Sequence, residues 1–289
     1  MTTKFKAELS LLFITLLWGA GFPLTSIALK DIGPYTFISI RSIIAVVVLV
    51  ILFHKKLKLV NKTILKIAFL ISISMFIGSA LQNTGLVYTT PSKSGFLTGL
   101  NVIFVPIILG VFYKKVPERK TIIGVILSVA GLFAMSLKGM NGQGGLNIGD
   151  ILTILCAVAF SMQIILVDKF AAKVDAILIT ILELAFIGVL SFFPALAIEQ
   201  FNITLNTGVI VALLFTAVFC TAIGMMVMNK MQPETDPTHA SIIYLGEPVF
   251  AAFFSAFIGD RLSGGALLGC LLILVGMIVT SFKISSTKS

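Results

Sequence analysis

Long apolar runs, separated by short polar breaks, organise the chain from end to end. They fall approximately at residues 8–29, 33–53, 64–87, 93–113, 120–138, 149–168, 175–198, 207–230, 238–259 and 264–283. A helix that crosses a bilayer needs about 20 mainly apolar residues, so the pattern predicts ten transmembrane helices in an all-α integral membrane fold. The breaks carry turn chemistry: Gly33-Pro34, Thr90-Pro91, Pro117 and the Gly-rich segment from Gly139 to Gly149. None exceeds about a dozen residues, which leaves no space for a soluble domain. The ninth run is unusual because Glu247 and Pro248 sit near its middle. A carboxylate at the bilayer centre costs about 2.5–3.5 kcal/mol on insertion scales, and Pro248 withholds a hydrogen bond from the Tyr244 carbonyl. A polar interior is expected there, with Gly246 and Pro248 as a hinge.

Composition agrees with the pattern. Hydrophobic residues make up 58% of the 289 positions and charged ones 11%, with a mean hydropathy of +1.10; soluble domains are about 45–50% apolar. The bilayer is therefore a partner. The net charge of +9 is a topology signal rather than a nucleic-acid footprint, because Lys and Arg cluster in the short breaks. With the N-terminus inside, sixteen basic residues fall on the cytoplasmic side and four, Lys30, Lys93, Lys138 and Arg261, on the other. Both termini are expected in the cytoplasm and the protein in the plasma (inner) membrane. The first run is longer than a signal peptide's apolar region and is read as a permanent span. Cys156, Cys220 and Cys270 lie inside apolar runs without a CxxC or Cys/His cluster, as small buried hydrophobes do.

The chain also repeats itself. A shift of 146 superimposes Gly78 on Gly224, Asn83 on Asn229, Pro91 on Pro237 and Phe104 on Phe250. A shift of 145 brings Gly124 onto Gly269 and Gly131 onto Gly276, and one of 142 brings Trp18 onto Phe160 and Arg41 onto Glu183. Two five-helix halves follow, residues 1–138 and 149–289, joined by a Gly-rich linker at 139–148. Five is odd, so the second half runs through the membrane in the opposite sense. Inverted repeats of this kind place a site near the midplane between the halves.

The residues now on the page resemble the drug/metabolite transporter superfamily, specifically its ten-helix EamA-like members. The carriers are Leu17-Trp18-Gly19 with Phe22 and Pro23, Arg41, Thr90-Pro91-Ser92 leading to Pro106, Asp236-Pro237-Thr238-His239-Ala240 leading to Glu247-Pro248, and Gly259-Asp260-Arg261-Leu262-Ser263 before the run from Gly269 to Ser281. Where such proteins usually carry Glu before the Leu-Ser/Thr pair, this chain has Asp260-Arg261. The resemblance implies inverted five-helix repeats around a central cavity and secondary transport of small metabolites, often outward. It implies no particular substrate.

Ionisable residues well inside spans are the informative ones, and there are three: Arg41, Glu183 and Glu247. Each lies about eight residues from its helix start, roughly 12 Å deep at 1.5 Å per residue. Charges at that depth face a cavity or each other. Arg41 offers a fork for a substrate carboxylate, and Glu247 or Glu183 a partner for a cationic group or a proton; the alternative is an ion pair from Arg41 to Glu183 or Glu247. Gln82, Asn83, Asn101, Gln163, Asn229, Tyr88 and Tyr244 add a polar layer, either as ligands or as interhelical hydrogen bonds. Asn101 is the repeat equivalent of Glu247. Trp18 and Phe22 are placed to wall the cavity or simply to pack. His239 is either a pH-sensitive group or, near a helix end, simply solvated.

Gly95-Phe-Leu-Thr-Gly99 and Gly265-Ala-Leu-Leu-Gly269 permit packing inside one chain or a homodimer. The Gly-rich linker lacks the Lys-Ser/Thr of a phosphate loop, and Asn202-Ile203-Thr204 fits a glycosylation acceptor only weakly. No metal cluster or catalytic triad is visible, so neither cofactor nor enzymatic activity is expected. The sequence predicts a secondary transporter that exports small polar or zwitterionic metabolites, such as amino acids, by alternating access. One rival is a cationic drug exporter using the same glutamates as counter-charges. Another is an integral-membrane enzyme on lipid-linked substrates, which needs polar residues gathered at one interface rather than mid-span.

Overall fold

A computed structural model describes residues 3–136, 147–201, 203–257 and 264–281. Most of the expected linker, Asn202, and the Gly259 to Ser263 segment lie outside the described residues. The described chain is helical: α1 Thr3–Ala28, α2 Pro34–Phe53, α3 Lys62–Tyr88, α4 Pro91–Thr98, α5 Asn101–Tyr113, α6 Arg119–Ser136, α7 Ile148–Phe170, α8 Ala176–Ile198, α9 Thr207–Phe215, α10 Gly224–Met231, α11 Pro237–Tyr244, α12 Gly246–Phe257 and α13 Gly264–Ser281. Among the described residues, seven stretches are long and apolar enough to cross a membrane. Their starts are set by the residues before them. Asn61, Thr90, Asn147, Asp175, Asn206 and Asp236 each accept a backbone N–H of the first turn, and Pro91 and Pro237 occupy a position where a missing N–H costs nothing. The start of α2 has Pro34 in that position but no capping side chain before it. Glu199, beyond the end of α8, crosses over and accepts from Tyr35 N, Thr36 N and Thr36 Oγ1 at 2.7–2.9 Å. Only glycine at position 33 lets it approach, because a Cβ there would lie 2.2 Å from the Glu199 carboxyl carbon.

Two helices expected to be continuous are broken. The fourth run divides into α4 and α5 at Gly99-Leu100, and the ninth into α11 and α12 at Leu245. At both breaks the amides turn back three residues instead of four: Leu100 to Leu97 and Leu245 to Ile242. Pro248 explains the second, since it has no N–H for the Tyr244 carbonyl. At the first, Gly99 keeps right-handed helical angles, and the two breaks touch: a Cβ on Gly99 would meet Leu245 Cδ2 at 2.8 Å. The eighth run is also irregular, with a π-helical turn at Thr216–Ile223 between α9 and α10.

The most extensive contacts join α6 to α13, α3 to α7, α2 to α8 and α1 to α12. Small residues bring α6 and α13 together, with Gly124 against the Gly276 carbonyl and Gly131 against the Gly269 carbonyl. Gly99 likewise packs on Leu245 and Leu132, and Gly95 lies near Pro248. These small residues of both GxxxG segments are thus used inside the chain. Around the centre, Leu11, Ile38, Ile71, Val105, Ile164, Ile179 and Met225 belong to one buried cluster that joins both halves of the sequence.

Candidate functional site

A cavity opens where α1, α2, α3, α7, α8, the π turn and the two broken helices converge. It encloses about 1010 Å³ of non-atom space, its open mouth included. Trp18 and Phe22 come from α1, Arg41 from α2, Gln82 from α3, Asn101 from α5, Gln163 from α7, Tyr244 from the last turn of α11 and Glu247 from the first turn of α12. Eight of the ten candidate ligands therefore line one space. Gly246 and Pro248 flank Glu247 at the break, Gly246 pressed so closely on Thr15 that a Cβ would lie 2.4 Å from its Oγ1.

Two ionisable side chains face the cavity without an ion-pair partner among the described residues. Among the described residues Arg41 forms no ion pair, its Nε is unbonded, and its guanidinium carbon lies 5.5 Å from the centre of the Phe37 ring. Glu247 sits at the N-terminus of α12, where the helix dipole favours a negative charge. The alternative, an ion pair of Arg41 with Glu183 or Glu247, is not formed. Asn101, at the start of α5, also leaves its Oδ1 unbonded.

The aromatic wall is fixed by hydrogen bonds. Trp18 Nε1 donates to the Cys220 carbonyl at 2.8 Å, within the π turn, and its ring lies 5.5 Å from that of Tyr244. The Tyr244 hydroxyl donates to Gln232 Oε1 at 2.9 Å, and Gln232 Nε2 donates to the Ile164 carbonyl at 2.7 Å. Gln82 Nε2 donates to Thr98 Oγ1 at 3.1 Å, and Gln163 Nε2 reaches Met228 Sδ at 3.8 Å.

Two candidates stand apart. Tyr88 is 56% exposed at the end of α3, outside the cavity, because its helix ends beyond the polar interior. Glu183 does not line the cavity either; it is fully buried and accepts from Asn229 Nδ2 at 2.8 Å, while Asn229 also donates to Thr180. His239 is not solvated; it is 3% exposed. The sequence reading missed Cys220, which lines the cavity and whose thiol donates to the Leu17 carbonyl at 3.1 Å, and Gln232, which orients Tyr244 from outside it. Cys220 carries a weak signal, since it lies one helical turn before Gly224. No group of three or more metal-ligating side chains occurs among the described residues.

This arrangement presents a cation, a carboxylate and two aromatic faces to one small solute. Comparison with known proteins agrees with a transport role. A profile of the EamA-like transporter family matches residues 5–137 and, a second time, residues 147–282. An uncharacterized transporter of Archaeoglobus fulgidus is 33% identical over 97% of this chain and 87% of its own. The uncharacterized transporter YvbV of Bacillus subtilis is 30% identical over 99% of this chain and 93% of its own. A probable amino-acid metabolite efflux pump of Escherichia coli is 22% identical over 96% and 95%. One crystal structure shares the fold, with a TM-score of 0.78 at 16% identity, covering 96% of this chain and 98% of that one.

Proposed function

The chain belongs to the EamA-like transporter family, and on that premise we propose that it is a secondary transporter exporting small zwitterionic metabolites, such as amino acids, across the plasma membrane. The observation that carries this is a pair of ionisable side chains in one cavity with no ion-pair partner among the described residues, Arg41 from the first half and Glu247 from the second. A zwitterion satisfies both, its carboxylate in the Arg41 fork and its ammonium at Glu247. The cation and the anion separately would each leave one buried charge uncompensated. The name of the Escherichia coli relative supports the amino-acid class and the outward direction.

The transport cycle alternates access to this cavity in a ten-span molecule of two inverted halves, with both termini cytoplasmic. Reciprocal contacts support the inversion. The repeat maps Gly78 packed on Phe160 onto Gly224 packed on Trp18, and Gly124 packed on Gly276 onto Gly269 packed on Gly131. The double family match and the bias of basic residues agree with it.

The test is a ligand-stabilisation screen of the detergent-purified protein against amino acids, polyamines, nucleosides, sugar phosphates and organic cations. Binding raises stability by about 2.7 kcal/mol at 100 times the dissociation constant. Stabilisation by zwitterions that is lost in both Arg41→Ala and Glu247→Gln is expected. Hits confined to organic cations, lost with Glu247 but indifferent to Arg41, would overturn the zwitterion reading in favour of cation efflux.

A further inference from the structure

Beside the cavity lies a second polar site. Glu183 of α8 and Asn229 of α10 are 0% and 1% exposed, and Asn229 Nδ2 donates to Glu183 Oε2 at 2.8 Å and to Thr180 Oγ1 at 3.0 Å. Thr180 donates onward to the Ala176 carbonyl, which fixes the orientation of the amide. Two buried atoms of this pair have no hydrogen-bond partner among the described residues, Glu183 Oε1 and Asn229 Oδ1. As a carboxylate oxygen and an amide oxygen, both are acceptors. One proton on Glu183 Oε1 removes the buried charge and supplies the missing donor. Asn229 Oδ1 is its matching acceptor, because an acid and a primary amide pair through two hydrogen bonds, and one of the two is in place.

The other ionisable groups on the elements around Glu183 lie elsewhere. Arg41 of α2 lines the cavity, Tyr35 stands in that helix's first turn, and Lys56 pairs with Asp175 before α8. Lys62, Lys66 and Tyr88 of α3, Lys230 of α10, and His54, Lys55, Lys58 and Lys173 of the turns at His54–Leu59 and Ala171–Lys173 are exposed. Asp150, Asp168 and Lys169 sit in the end turns of α7, and Glu199 lies beyond the end of α8. Among the described residues no cation is within ion-pairing distance of Glu183, which leaves a proton to neutralise it.

The site adjoins the cavity. Met228, which precedes Asn229, and Gln163, which lies beside the Glu183 carboxylate, both line the cavity and touch at 3.8 Å. The repeat gives the site a reason to open. Arg41 and Asn83, the first-half equivalents of Glu183 and Asn229, both line the cavity. When inverted halves exchange arrangements, each set of positions takes the other's surroundings, so Glu183 and Asn229 turn to the cavity in the opposite-facing state. We propose that Glu183 and Asn229 form a proton-binding site, filled in the arrangement described here, and that its occupancy sets which way the cavity faces. This rests on the inverted-repeat transport reading above. The bound proton stabilises the present arrangement; its loss from Oε1 to cavity water leaves a carboxylate that only the opposite-facing state can hydrate, and the population shifts that way.

Two readouts test this without knowledge of the substrate. The first is infrared spectroscopy of the purified protein in an ester-free detergent at mildly acid pH. The C=O stretch of a protonated carboxyl, sensitive to D2O, should lose one component in Glu183→Gln, keep it in Glu247→Gln, and move to higher frequency in Asn229→Leu. A spectrum untouched by Glu183→Gln overturns the site, and a component unmoved in Asn229→Leu overturns the pairing. The second is labelling of Cys220, which lines the cavity, by a membrane-impermeant thiol reagent in a Cys156→Ser/Cys270→Ser background. Inside-out and right-side-out vesicles present the two faces, and the ratio of their rates at one pH cancels the thiol's own ionisation. As pH rises, the wild-type ratio should shift toward the face labelled more slowly at acid pH. Glu183→Gln, which mimics the protonated group, should hold the acid ratio throughout. A wild-type ratio that ignores pH, or a Glu183→Gln ratio that shifts like wild type's, overturns control by this site. A ratio that follows sodium rather than pH, with no carboxyl component, overturns the proton in favour of a metal ion. Failure of the zwitterion screen leaves both readouts standing, so the substrate reading and this one fail separately.

Discussion

Replacing Trp18 with phenylalanine keeps an aromatic ring beside Tyr244 while deleting the N–H that bonds the Cys220 carbonyl at 2.8 Å. The lost bond is worth about 1 kcal/mol, and the gap left by the smaller ring against Gly224 costs about 1 kcal/mol more. At roughly 2–4 °C per kcal/mol for a chain of this size, the midpoint should fall by about 4–8 °C. Gly224→Ala attacks the same contact from the other side, because its Cβ would lie 2.7 Å from Trp18 Nε1. Overpacking of that kind costs about 1–3 kcal/mol. With phenylalanine at 18 the obstruction is gone, so Gly224→Ala should cost at least about 1 kcal/mol less in that background, a coupling of the size seen between touching residues. The assay is thermal unfolding in detergent with a dye that fluoresces on reacting with thiols, since Cys156 and Cys220 are buried. The protein's one tryptophan is the mutated residue, so intrinsic fluorescence does not serve. Additivity of the two substitutions within about 0.5 kcal/mol would refute the claim that the π turn is clamped by the indole.

Gly131→Leu drives a side chain into the Gly269 carbonyl, 2.7 Å from an ideal Cβ, and backbone there has no room to yield; a loss of about 1–3 kcal/mol or more is expected in the same unfolding assay. Asn229→Leu strips the fully buried Glu183 of a donor at 2.8 Å and should cost about 2–3 kcal/mol, whereas Glu183→Gln costs less and the Glu183→Leu/Asn229→Leu double variant recovers part of the loss. Partial burial opposes ionisation of Asp175 outside the membrane, but the Lys56 ammonium and the N–H groups of Leu178 and Ile177 outweigh it and hold the carboxyl below its ordinary range. Its contribution is complete above the unfolded pKa and is lost as pH falls through the folded one. Asp175→Asn keeps the helix cap and removes the charge, so its unfolding midpoint should fall less steeply than wild type's as pH drops through the acid range; parallel curves would discount the Lys56 pair.

Part of the site was legible because charge inside an apolar run is conspicuous. Arg41 and Glu247 stand out against their neighbours, and the cavity receives both. Glu183 stands out equally, yet it faces Asn229 rather than the cavity, because two helices packed side by side present different faces to the centre. Tyr88 stands out by its hydroxyl alone and lies outside. Gln232 could not be found at all: its role is to hold Tyr244, twelve residues on, against the Ile164 carbonyl, 68 residues back.

By itself the sequence determined that this is an apolar, helical, membrane-embedded chain, where its helices begin, and which glycines recur. These properties follow from local rules, since hydropathy, caps and turn residues act within a few positions of themselves. Tertiary structure decided what those elements do for one another. Gly99 lets the break in the fourth run pack against Leu245 of the ninth, Trp18 clamps a π turn some two hundred residues away, and Glu199 caps a helix to which it is not adjacent in sequence. Each depends on close approach between distant segments, and approach at that distance is fixed by packing rather than by the residues on either side.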